Sequence, residues 1–153
     1  MSVLINASTS SGLTQTADTS GTLELQSNGT TQLTVSSTGV SASNTFKMNS
    51  GYGSVANAYG CRAWVNFNGI GTIAIRNSAN VTSITDNGVG DYTVNLTTAM
   101  PDSSYTPCAS SDANSGLNFS QPVSISTGSF QITTRNGAGT YFDATTVSAA
   151  VFR

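Results

Sequence analysis

The chain has 153 residues, a net charge of −2 and only 8% charged residues, against 24 Ser, 23 Thr and 14 Asn, so small polar side chains stand where a soluble domain ordinarily carries Glu, Lys and Arg. Histidine is absent and the only cysteines are Cys61 and Cys108, which excludes Ser-His-Asp and Cys-His nucleophile chemistry and the imidazole ligands of catalytic zinc. The five basic residues, Lys47, Arg62, Arg76, Arg135 and Arg153, are too dispersed to neutralise a run of phosphates, so nucleic acid is not an expected partner.

Good helix formers are scarce, with Glu24 the only glutamate and Lys47 the only lysine, and apolar residues come in short alternating groups. The expected class is all-β. The opening MSVLINASTSSG has neither a positive start nor a long apolar run, and no stretch is long enough to span a bilayer, so cytoplasmic synthesis without membrane insertion is expected. In that compartment Cys61 and Cys108 are expected as free thiols.

Composition divides the chain at Ser50: residues 1–50 hold one aromatic, Phe46, whereas residues 51–153 hold Trp64, all five tyrosines and the other phenylalanines. The first part is read as a thin stem for attachment and trimerisation. Thr22 to Gln26 alternates polar and apolar, Asn28-Gly29 supplies a turn needing positive φ, and Gln32 to Ser36 alternates again, which predicts a hairpin whose second strand Thr38-Gly39 closes. Thr45 to Asn49 offers one more short strand. Leu23, Leu25, Leu33 and Val35 fall on one face, and with Phe46 and Met48 they are the candidate trimer interface, because two isolated strands cannot offset an ordering entropy of about 1–2 kcal/mol per residue. Three intertwined copies cover that face and the strand edges.

Residues 51–153 carry alternating strands between turn signals, the pattern of an antiparallel β-sandwich. Strands are expected over Arg62 to Phe67, Thr72 to Arg76, Val81 to Thr85, Tyr92 to Thr97, Tyr105 to Ala109, Asn118 to Ile125, Phe130 to Arg135 and Thr145 to Phe152. Residues 86–91 form the loop of the second hairpin.

Few groups point to chemistry. Gly69-Ile70-Gly71 with Ala74 formally fits a dinucleotide fingerprint, but the following Thr72-Ile73-Ala74-Ile75-Arg76 has strand periodicity instead of a helix, so a turn explains the glycines. Asp86, Asp91, Asp102, Asp112 and Asp143 stand beside turn residues, where aspartate caps its own backbone, and Asp86 with Asp91 falls short of the six to eight oxygens about a calcium ion. No enzymatic activity, cofactor or metal is expected. Tyr52, Tyr59 and Tyr141 lie in loop-like, glycine-rich surroundings and are the candidate surface-binding residues, since an aromatic ring with a polar tip suits sugar or protein contacts.

The phrases Arg62 to Gly69, Ile75-Arg76, Ser83 to Gly88, Gly90 to Asn95 and Thr98 to Asp102 together resemble a module found in tail-fibre and other minor virion proteins of tailed bacteriophages. Leu23 to Thr30 with Leu33-Thr34-Val35 likewise resembles the short-strand segments that precede such modules in trimeric fibres. The resemblance implies a homotrimer held to the particle through one end by other virion proteins, located in the virion, and no catalytic residue. The expected function is a short trimeric tail or head fibre that exposes a β-sandwich to host-surface glycans. The alternative is a trimeric capsid decoration protein that stabilises the head shell.

Overall fold

In the computed structural model, which describes residues 20–43, 45–49, 54–112 and 118–153, every regular element is a β-strand and every pairing is antiparallel. This follows from a chain in which Thr, Val and Ile pack well on a pleated surface while Ser, Asn and Gly compete for turns. Two compact units result, Met1–Ala58 and Tyr59–Arg153.

In the first unit, β1 (Leu23–Ser27), β2 (Thr30–Ser36) and β3 (Gly39–Ala42) form a three-stranded sheet in that order. Asn28 and Gly29 take φ of 50° and 72°, the positive pair that a two-residue hairpin turn requires. Thr38-Gly39 ends the second strand as expected, β2 stopping at Ser36. The chain turns there and returns as β3, a strand too short and too poor in alternation to stand out in the sequence. The two short strands β4 (Lys47–Met48) and β5 (Ala56–Asn57) pair with each other.

The second unit holds two four-stranded sheets, one ordered β10-β13-β6-β7 and the other β11-β12-β9-β8. Their strands are β6 (Cys61–Asn68), β7 (Ala74–Ala79), β8 (Val81–Gly88), β9 (Asp91–Leu96), β10 (Thr106–Ser111), β11 (Asn118–Ile125), β12 (Ser129–Asn136) and β13 (Val147–Phe152). Alternate residues of the central strands enter one core: Ala63, Val65 and Phe67 of β6 and Val147, Ala149 and Val151 of β13 from one sheet, Tyr92, Val94 and Leu96 of β9 and Phe130 and Ile132 of β12 from the other. Phe67 meets Tyr92 edge to face at 5.2 Å between ring centroids, a favoured aromatic geometry.

Two strands are displaced from their expected positions. The strand expected at Thr72 to Arg76 begins at Ala74, because Asn68 Nδ2 donates to the carbonyls of Ile70 and Thr72 and holds the intervening residues as a wide turn. The loop expected over residues 86–91 is shorter, since β8 runs on to Gly88 through a bulge in which Gly88 N donates to Asp86 Oδ1. Asn80 makes the corner between the sheets. It adopts φ of 57°, its Nδ2 donates to the carbonyls of Arg62 and Thr98, and its Oδ1 accepts from Thr98 N.

Candidate functional site

Register places the apolar residues of the three-stranded sheet in two cross-strand rows, Leu23–Val35–Val40 and Leu25–Leu33–Ala42. Residues two apart share a face, so both rows lie on the same side. Within the single chain that side is open: Leu23, Leu25, Val35 and Val40 are all exposed, Leu25 at 45% and Val40 at 67%. Leu33 is half-buried, and Phe46 and Met48 are exposed as well. A sheet of three short strands with one apolar face is near the lower limit of independent stability until that face is covered.

A second feature lies on the outward face of the β11-β12-β9-β8 sheet. Here β8, β9 and β12 carry a lattice of amides and hydroxyls, with Phe119 of β11 opposite Arg135 at its edge. Asn95 Nδ2 donates to Ser83 Oγ and Thr85 Oγ1, and Asn87 Nδ2 donates to Thr93 Oγ1 at 2.9 Å and Asp91 Oδ1 at 3.2 Å. Gln131 Nε2 donates to the same Asp91 oxygen at 2.6 Å. Beside this lattice Arg135 pairs with Tyr141 through an isolated bridge, its guanidinium 4.3 Å from the ring centroid and hydrogen-bonded to the phenol oxygen. Among the described residues Thr133 Oγ1 and Arg135 Nε are buried without a partner, and leaving such a group unsatisfied costs about 1–3 kcal/mol.

The interior node beneath this end of the sheet is structural. Tyr92 Oη lies 3.0 Å from Gly69 O and 2.9 Å from Asp143 Oδ1, and its one proton serves both acceptors. Gly90 N donates to the same carboxylate oxygen at 2.8 Å. Burial, then the hydrogen bond and charge of Asp143, push the Tyr92 phenol well above its ordinary alkaline value. Burial pushes Tyr105 up as well, its hydroxyl donating toward the carbonyls of Ser126 and Ser129. A phenol held neutral in this way is a tether, not a proton donor at neutral pH.

Of the three candidate surface tyrosines, Tyr52 lies outside the described residues. Tyr59 is 72% exposed and borders a cleft of about 520 Å³ with Ser104, Thr106, Phe152 and Arg153, where Arg153 forms an ion pair with Asp102. Tyr141 lines a different cleft of about 490 Å³ with Asn87, Gly88, Val89 and Asp91. Reading the sequence missed the partners of Tyr141, because Arg135, Asn87 and Asp91 reach it only through strand pairing. Cys61 and Cys108 are both free and exposed. Among the described residues no group of three His, Cys, Asp or Glu is placed to hold a metal ion, and no helix is long and apolar enough to cross a membrane. No family model matches the chain, and no curated protein or solved structure is significantly similar to it.

Proposed function

We propose that the protein is a structural component of a bacteriophage virion. In this reading it is a homotrimer whose first unit is an intertwined stem and whose second is a β-sandwich facing solvent, forming a short tail or head fibre that touches host-surface glycans. The observation that supports it is the open apolar face of the three-stranded sheet. Leu23, Val35 and Val40 with Leu25, Leu33 and Ala42 make a continuous apolar surface on an element near the lower limit of independent stability, and three copies about one axis bury all of it together. The resemblance of residues 62–102 to virion modules supplies the setting, and the mechanism is multivalent binding, with three displayed domains raising effective concentration against a repeated surface.

Light scattering after size exclusion tests the assembly, on the full chain and on a variant lacking residues 1–50. A trimer that falls to monomer on truncation is the expected result, and a monomeric full chain refutes the reading. Copy number in purified particles separates a fibre from a shell-decorating trimer, the latter requiring hundreds of copies for a capsid surface.

A further inference from the structure

One end of the β11-β12-β9-β8 sheet holds more hydrogen-bonding capacity than the chain itself uses. Thr133 and Arg135 follow one another on the outward side of β12, and Asp91 of β9 stands directly opposite Thr133. Thr133 is only 2% exposed, yet among the described residues its Oγ1 has no partner, and neither has the buried Nε of Arg135. Asp91 commits Oδ1 to Gln131 and Asn87, while its Oδ2 accepts no hydrogen bond among the described residues. Asp91 itself lines a cleft of about 490 Å³, together with Asn87, Gly88, Val89 and Tyr141. The tyrosine ring is braced by the Arg135 guanidinium and remains 41% exposed.

We propose that this cleft binds a neutral pyranoside. The Tyr141 ring takes the apolar C–H face of the sugar, and neighbouring sugar hydroxyls donate to Asp91 Oδ2, with the Asn87 side chain on the same cleft wall as the remaining polar complement. A ring surface next to a carboxylate and an amide fits a polyol, which offers both an apolar face and clustered O–H donors. An anionic ligand fits less well. Asp91 stands in the cleft, Asp86 is on the adjoining strand, and the one nearby cation, Arg135, is already engaged with Tyr141. The inference rests on the glycan-contact part of the reading above, but not on the trimer.

The test is a nuclear magnetic resonance titration of the full-length, isotopically labelled protein with the methyl glycosides of glucose, galactose, mannose and N-acetylglucosamine, with methyl glucuronide as the anionic arm. A polysaccharide binding panel runs alongside. The expected result is saturable shifts confined to residues 87–91 and the Tyr141 segment for at least one neutral glycoside. Tyr141→Ala and Asp91→Asn are each expected to weaken that binding about tenfold, whereas Tyr141→Phe, which keeps the ring, stays within about threefold of the parent. Binding that maps to the Tyr59–Phe152 cleft and ignores Tyr141→Ala overturns the site while leaving glycan contact standing. Binding of the glucuronide alone overturns the ligand class. Failure of every glycoside and polysaccharide to bind overturns both the site and the glycan-contact reading.

Discussion

Replacing Leu25 by Asp separates assembly from folding. In the single chain this side chain is 45% exposed, so an aspartate there gives up about 0.8–1.7 kcal/mol of packing within the chain but leaves its carboxylate in water. If the face is shared by three copies, the remaining 45% is buried in the assembly, and since full burial of a leucine is worth about 1.5–3 kcal/mol, its loss amounts to roughly 0.7–1.3 kcal/mol per chain and about 2–4 kcal/mol per trimer. Three carboxylates brought together about one axis add desolvation of several kcal/mol each and mutual repulsion. Because about 1.4 kcal/mol is a factor of ten in an equilibrium constant, the combined effect spans several decades of association and leaves no trimer at micromolar concentration. Light scattering after size exclusion reads the mass, and near-ultraviolet circular dichroism of Trp64 and the core tyrosines reports whether the Tyr59–Arg153 unit survives. The expected outcome is a monomer with that spectrum intact. A trimer that persists in both Leu25→Asp and Leu33→Asp refutes the shared apolar face, and a loss of the near-ultraviolet signal refutes the independence of the second unit.

Gly90 takes φ of 63°, and a Cβ built on it would stand 2.6 Å from the carbonyl oxygen of Thr134 and 2.8 Å from the backbone of Phe142, so Gly90→Ala is expected to lower unfolding free energy by about 3 kcal/mol or more in urea titration. The contribution of Tyr92 to stability should be level below about pH 10 and decline above it: the unfolded chain releases the Tyr92 proton near pH 10, whereas the folded state retains it. Urea midpoints measured across that alkaline range should therefore fall less steeply in Tyr92→Phe, and an unchanged slope would show that the phenol is not held neutral by the fold. Native mass spectrometry after treatment with iodoacetamide should find both Cys61 and Cys108 alkylated without denaturant, since both are exposed and unpaired. A single adduct would mean that one thiol is covered.

Much of this architecture is written in local pattern. Tyr92, Val94 and Leu96 alternate with Thr93 and Asn95, and all three apolar residues are buried in β9. Asn28-Gly29 announces its turn because few other pairs tolerate positive φ twice in succession. What stays hidden is set by distance along the chain. Asp143 meets Tyr92 and Gly90 only after β9 and β12 have paired, so its proximity to a turn in the sequence reads as capping when the carboxylate in fact ties together segments roughly fifty residues apart. Asn80 shows the same limit: its left-handed backbone and saturated amide make it the hinge between the sheets, yet in sequence it is one asparagine among many. The cleft at Tyr141 depends on an aromatic, an arginine, a carboxylate and an amide drawn from four separate segments, a combination that periodicity does not encode.

Strand β13 lies between β10 and β6, pairing with both along its whole length, although β6 is made long before it. The hairpins β6–β7, β8–β9 and β11–β12 can each form from neighbouring sequence, but β10 has no partner in its sheet and β6 keeps an open edge until Val147–Phe152 arrives. The order of strands thus acts as a completeness check during biosynthesis. A chain interrupted before Val147 displays an unpaired edge and an uncovered core, the features that proteases recognise, whereas one that includes Val147–Phe152 closes both at once.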